Sequence, residues 1–178
     1  MIDYHNPDAP IGVEEIPYEL SLAVKPEAAT AIGLLANGFP DSVEFLNAVG
    51  DAIQALFPGI TLRAYNKGNA TIPAGDKLLQ EITGECSGVI AAYGHLGSCT
   101  TGTVRDGINI ANLGIPAVAL VTEEFWAQGY FVAQSLGMPA VPRVQLPHPV
   151  AGTETTTMRK IAESVAPTII QALEGCGD

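Results

Sequence analysis

The stretch Gly88-Val89-Ile90-Ala91-Ala92-Tyr93, followed by Gly94-His95-Leu96-Gly97-Ser98-Cys99-Thr100-Thr101, decides the reading of the fold. Its first part is an unbroken apolar run, the pattern of a strand covered on both faces in a buried parallel sheet. A turn of small and hydroxylated residues follows, and Thr100 to Asn112 reads as a helix ended by Gly114. Strand, tight turn and helix make up the repeating unit of an α/β domain.

The same alternation extends in both directions. Upstream, Ala31-Ile32-Gly33-Leu34-Leu35-Ala36 is a short strand closed by the turn Asn37-Gly38. Asp41 or Ser42 is placed to cap the next helix, with Val43, Leu46, Val49, Ile53 and Leu56 on one face and Pro58-Gly59 as its stop. Ile60 to Tyr65 is the second strand, Asn66-Lys67-Gly68-Asn69 a polar loop, and Asp76 to Thr83 a short helix. Downstream, Ile115 to Val121 is a strand and Thr122 caps a helix from Glu123 to about Leu136, ended by Gly137. Val141 to Leu146 is the last strand, and Thr155 to Leu173 a long amphipathic helix with Pro167 as a kink or break.

These repeats predict a three-layer α/β fold. Its mainly parallel sheet of about five strands has a flavodoxin-like or Rossmann-like order and right-handed crossovers. Residues 1–28, rich in Pro and acid and without periodicity, read as an irregular N-terminal arm of a kind that wraps a neighbouring subunit. Residues 29–178 read as a single α/β domain.

A net charge of −11 argues against nucleic acid and anionic membrane surfaces as partners. No apolar run reaches membrane-spanning length, and Met1-Ile2-Asp3-Tyr4-His5-Asn6 has none of the marks of a signal peptide. The three cysteines, Cys86, Cys99 and Cys176, are odd in number and fit neither a zinc site nor Cys-x-x-Cys, which points to a reducing cytoplasm. No cofactor and no metal is expected.

In parallel sheets of this kind, ligands bind beyond the carboxyl ends of the strands, where the strand order switches. In a flavodoxin-like order the first and third strands flank that point, so the loop from Gly94 to Thr101 is central. Cys99 lies at or just before a helix start, where a thiolate faces free N–H groups and the positive end of the helix dipole. Gly97 lets a ligand approach the backbone, and Ser98, Thr100 and Thr101 add hydroxyl donors. His148, between two prolines, is placed as a general acid or base, with Glu123 or Glu124 beside it. Asn37, Gly38, Lys67 and Asn69 come from the neighbouring loops, with Lys67 suited to a carboxylate or phosphate. Each has a plainer alternative: a small buried thiol for Cys99, a surface imidazole for His148, a solvated amine for Lys67, and dipole compensation for the glutamates. Asp106 either orients the loop or lies on plain helix surface, Cys86 reads as structural, and His95 with Cys99 does not keep the spacing of a metal site.

Taken in order, several segments resemble the UGSC-motif proteins. They are Gly94 to Thr100, Val104-Arg105-Asp106, Gly114-Ile115-Pro116-Ala117-Val118, Thr122 with Phe125, Gly137-Met138-Pro139 and Pro147-His148-Pro149. That family carries selenocysteine or cysteine, then Gly-Ser-Cys-Thr, after a strand. Leu35-Ala36-Asn37-Gly38 and the Lys67 loop also fit, so the resemblance runs from about residue 31 onward. It implies thiol or selenol redox chemistry. This chain departs at the first motif position, which is Leu96, so no dithiol or selenenyl-sulfide pair forms within the motif. Only Cys99 carries over, with Gly97, Ser98 and Thr100. A weaker likeness is to the aspartate/glutamate racemase superfamily, whose Cys-Thr pair after a strand acts on small acids; of that family's two halves one is absent here.

Three readings follow. In the first, the Cys99 thiolate attacks a small electrophilic, carboxylate-bearing substrate in a hydrolysis, hydration, elimination or C–S reaction. His148 and Glu123 move protons, the loop N–H groups hold the developing anion, and Lys67 with Asn69 binds the substrate. In the second, Cys99 is a single-cysteine thiol oxidoreductase cycling through a sulfenic acid or a mixed disulfide with an outside thiol. In the third, the chain is a non-catalytic binding subunit paired with an intact relative. The expected partners are a small-molecule substrate and further subunits, as a homo-oligomer or a hetero-oligomer with a related chain.

Overall fold

Strand β3 (Gly88–Gly94) is buried at all seven positions, so a helical layer covers each of its faces. It is the middle strand of a five-stranded sheet in the order β2-β1-β3-β4-β5. The others are β1 (Thr30–Ala36), β2 (Ile60–Asn66), β4 (Ala117–Thr122) and β5 (Arg143–Leu146), and every neighbouring pair is parallel. Of the two orders expected, this is the flavodoxin-like one. The computed structural model describes residues 12–23 and 30–175.

Among the described residues the α-helices are α1 (Ser42–Leu56), α2 (Asp76–Glu85), α3 (Gly97–Asn112), α4 (Trp126–Ser135) and α5 (Thr155–Glu174). The period of two along each strand sorts them. Ile32, Leu34, Ile90, Val118 and Leu120 point to α1 and α5, where they meet Phe45, Val49, Ala166 and Ile169. Ala119 and Val121 point the other way, to Val104, Ile108 and Val132 of α3 and α4; Leu35 and Val89 meet Leu79 and Ile82 of α2. The result is three layers, α/β/α. Among the described residues no helix is long and apolar enough to cross a membrane.

The described part of the arm, residues 12–23, has no regular element and lies on its own domain. Ile16 N–H donates to the Gly137 carbonyl and Leu22 N–H to that of Leu173, both at 2.7 Å. The Tyr18 hydroxyl accepts the Ala117 N–H at 3.1 Å at the start of β4, and the Leu22 side chain joins the core. The arm thus follows the amino-terminal edge of the sheet.

Several local expectations are corrected. Asp41 stands at the N-cap of α1 in a left-handed conformation (φ 63°) and does not cap with its side chain. Its Oδ2 instead accepts the Gly152 N–H at 2.8 Å, a tertiary partner outcompeting the local one. The buried face of α1 runs through Phe45, Leu46, Val49 and Ile53, which leaves Val43 and Leu56 exposed. Thr122 makes no capping bond, and Glu123–Phe125 form a short 3₁₀ turn before α4. Strand β5 begins at Arg143 rather than Val141. Helix α5 continues unbroken through Pro167. Helix α3 begins at Gly97, three residues ahead of the expected Thr100, because the Cys99 sulfur serves the turn that precedes it. Cys176 lies outside the described residues.

Candidate active site

The β3–α3 turn is tied together by one sulfur atom. Cys99 occupies the third position of α3, with Leu96 at the N-cap. Its Sγ accepts the backbone N–H of Leu96 at 2.9 Å and of His95 at 3.2 Å; as a thiol it donates to the Leu96 carbonyl at 3.1 Å. Two backbone N–H donors therefore converge on it at the start of a 16-residue helix. Cys99 is 1% exposed, whereas the Leu96 side chain beside it is turned outward at 50%. The N–H groups of Gly97, Ser98 and Cys99 belong to the first turn, which an α-helix leaves without intrahelical partners.

His95, weighed in the sequence only as a metal ligand beside Cys99, has a different place in the structure. Its ring is buried against Phe39, with centroids 5.4 Å apart and planes at 26°, and against His148, with centroids 4.4 Å apart. Its Nε2 accepts the backbone N–H of Val150 at 3.1 Å and of Ala151 at 3.3 Å. Burial, followed by the neighbouring His148, pushes the His95 imidazole below the ordinary histidine value. Only its position between a strand end and a Gly-Ser-Cys turn marked it in the sequence.

His148 reaches this site from the β5–α5 loop. Its Nδ1 lies 3.2 Å from the Thr122 hydroxyl, and its backbone N–H donates to Glu123 Oε1 at 3.3 Å. Phe125 stands on its other side, with centroids 6.1 Å apart. The row Phe39, His95, His148 and Phe125 thus links the β1–α1, β3–α3, β5–α5 and β4–α4 connections. The Ala92–Tyr93 and His148–Pro149 peptides beside it are cis. Tyr93 meets His95 edge-on and donates its hydroxyl to the Pro40 carbonyl at 2.8 Å; burial raises its pKa.

Cys99 belongs to the β3–α3 turn, which flanks the switch between β1 and β3, while Glu123 and His148 come from the β4–α4 and β5–α5 connections on the same carboxyl edge. The expected binding residues divide. Ser98 is exposed in the first turn of α3. Gly97 passes its carbonyl to Gln128 Nε2 of α4 at 2.7 Å. The Thr100 hydroxyl is fully buried against Gly94 with no protein partner.

The remainder are internal struts. Asn37 is buried, its Nδ2 donating to the Tyr93 carbonyl at 2.8 Å and to Thr103 Oγ1 at 3.0 Å while its Oδ1 takes the Phe39 N–H. Its amide is used up joining β1, β3 and α3, so it offers nothing to a substrate. Gly38 takes φ 88° and packs onto the Gly68–Asn69 backbone so closely that a Cβ would collide. Asn69 accepts from the Thr71 N–H and hydroxyl and shapes its own loop.

Lys67 is not a free cation. Its Nζ sits 2.6 Å from Asp106 Oδ2 and 2.7 Å from the Ile72 carbonyl, and the two charged side chains are 3% and 1% exposed. The other Asp106 oxygen takes the Ala74 N–H at 2.7 Å, so Asp106 orients the β2–α2 loop rather than the turn that carries Cys99. Cys86 is buried by Tyr65 at the far side of the sheet; burial raises its thiol pKa. Among the described residues no three of His, Cys, Asp and Glu are grouped to hold a metal ion.

Known proteins were compared with this chain. Among solved structures, a short-chain flavodoxin associated with a non-canonical PDU bacterial microcompartment is similar over 82% of this chain and 99% of its own, with TM-score 0.46 and 10% identity. A diflavin flavoprotein A3 from Nostoc sp. is similar over 82% and 97%, with TM-score 0.44 and 12% identity. A flavodoxin-like domain from Synechococcus sp. gives 82% and 98%, with TM-score 0.41 and 12% identity. No curated protein matches the chain significantly. The model of the UGSC family matches residues 9–175, nearly the whole chain, and the protein therefore belongs to the UGSC family.

Proposed function

We propose that this chain is an enzyme whose Cys99 thiolate attacks a small electrophilic, carboxylate-bearing substrate at the carboxyl edge of the sheet. The observation that carries this reading is the convergence of the His95 and Leu96 N–H groups on Sγ at the start of α3. Attack forms a bond from Sγ to the electrophilic carbon, and the electron pair displaced from that carbon becomes an anion or leaves with a leaving group. The free first-turn N–H groups of α3 are suited to hold that anion or the substrate carboxylate, with the Ser98 hydroxyl beside them. His148 delivers or removes the proton, with Glu123 fixing its backbone. Lys67 and Asn37, expected as binding groups, have no part in this because their polar atoms are committed internally. The chemistry is a hydrolysis, hydration, elimination or C–S bond reaction on a small acid.

Those same contacts give Cys99 a capping role, and one substitution separates the two. Serine keeps an acceptor for the Leu96 N–H but is a much weaker nucleophile; alanine loses both functions. Intact mass after incubation with a panel of small electrophilic acids should show an adduct on the wild type and none on Cys99→Ser, with the variant still folded. An equal adduct or equal turnover in Cys99→Ser overturns the reading.

Membership of the UGSC family supports a second reading, with Cys99 as a single-thiol oxidoreductase. Leu96 supplies no second sulfur, so an outside thiol completes the couple: peroxide oxidises Cys99 to a sulfenic acid, and the thiol displaces water to give a mixed disulfide. Peroxide treatment and mass spectrometry test this, because the reading requires an oxidised Cys99 that reductant restores.

A further inference from the structure

The β5–α5 connection, from Pro147 to Glu154, is held over the carboxyl edge by a short set of bonds. His148 N–H goes to Glu123 Oε1, and its Nδ1 lies on the Thr122 hydroxyl. Gly152 N–H goes to Asp41 Oδ2 at 2.8 Å, and the Thr155 hydroxyl to Glu44 Oε1 at 2.6 Å. In the middle, Val150 and Ala151 both donate to His95 Nε2. Of the first four bonds, three end on carboxylates, and the fourth joins an imidazole nitrogen to a hydroxyl. The central pair is taken by an imidazole nitrogen.

A neutral imidazole has one donor and one acceptor nitrogen, and an imidazolium has two donors and no acceptor. Since Nε2 accepts, Nδ1 carries the proton. A proton added to His95 must go to Nε2, where it faces two N–H groups and breaks both bonds. The groups around the ring offer that charge little compensation. The β5–α5 loop brings His148, itself ionisable, β3 brings the edge of Tyr93, and the β1–α1 loop brings the Phe39 ring; from α3, Cys99 Sγ meets the His95 backbone N–H. The nearby carboxylates of Asp41, Glu123 and Glu44 are engaged by Gly152, His148 and Thr155 rather than by His95.

We propose that His95 is a positioning residue: as the neutral Nδ1–H tautomer it latches the β5–α5 loop, and with it His148, over the Cys99 turn, and its protonation releases the loop. The inference rests on the proposed function only in treating His148 as the proton carrier. The latch itself stands on the two bonds to Nε2.

Nitrogen-15 NMR of the wild-type protein across pH 5–8 tests it, with His95→Gln and His95→Asn alongside. The glutamine amide oxygen reaches the place of Nε2 and accepts, whereas asparagine is too short to do so. The expected result is an unprotonated Nε2 and a protonated Nδ1 at neutral pH. On acidification, the Val150 and Ala151 amides should lose protection about tenfold or more, with the same midpoint as His95. His95→Gln should keep the protection and lose the pH step; His95→Asn should lack the protection throughout. An Nε2–H tautomer at neutral pH, amides of Val150 and Ala151 that ignore the His95 titration, or His95→Gln without protection would each overturn the proposal. If His95→Asn does not fold, the wild-type titration decides alone. None of these readouts uses turnover, so failure of the latch and failure of the Cys99 reading are separate results.

Discussion

Lys67 and Asp106 stand 39 residues apart in the chain and 2.6 Å apart in space, as a buried ion pair that fastens the β2–α2 loop to α3. Burial pushes the Asp106 carboxyl up, and the Lys67 charge and the Ala74 N–H oppose it. Lys67→Met strands that carboxylate without its cation. The expected cost is about 3–5 kcal/mol in denaturant unfolding. Adding Asp106→Leu should recover much of the loss, since a buried pair replaced by packed apolar groups is often neutral. A single variant as stable as the wild type would mean that the pair is not buried in solution.

Asn37 joins three elements through one amide. Asn37→Ala leaves the Tyr93 carbonyl and the Phe39 N–H without their partners. Each stranded buried group costs about 1–3 kcal/mol. Thermal unfolding should show the loss, and Cys99 adduct formation on the still-folded fraction should persist.

The direction of the His95 shift fixes a pH dependence of stability. Folded His95 binds its proton less tightly than the unfolded residue, whose reference value is 6.5. As pH falls through 6.5, the unfolded chain takes up a proton that the folded chain does not. Stability is therefore full above 6.5 and declines below it until folded His95 also titrates. The slope from this one group is at most about 1.4 kcal/mol per pH unit. Unfolding midpoints at pH 7.5 and pH 5.5 measure it, and His95→Gln should flatten that part of the profile.

Leu96→Cys tests the geometry of the motif turn. The Leu96 amide is already 2.9 Å from Cys99 Sγ, and α3 starts between the two positions. The variant places Cys-x-x-Cys at a helix start. Mild oxidation should remove two hydrogens from the intact mass, and reductant should restore them. Failure to form the bridge would show that the turn is held differently.

The alternation of strands and helices was legible because period-two and period-3.6 burial is written locally; the all-apolar run of β3 and the loop order around Cys99 could be read without coordinates. The start of α3 was misplaced because Gly97 and Ser98 read as turn residues, while the cap comes from a cysteine sulfur. Asn37, Lys67 and Asn69 looked like ligand groups by residue type and loop position. Asn69 turns its oxygen to Thr71, two residues on. The partners of Asn37 and Lys67 lie 66 and 39 residues away, and no local pattern announces them. The same holds for His95, whose two donors lie 55 and 56 residues downstream.

The complete burial of β3 has a consequence for heat. The strand that carries the Cys99 turn is buried along its whole length, whereas His148 rides on a connection that is partly exposed and held by a few side-chain acceptors. Local opening starts where buried contacts are few. On warming, His148 should leave its place while the sulfur keeps its own. The two halves of the proposed site would then part while the chain still gives the circular dichroism of a folded protein.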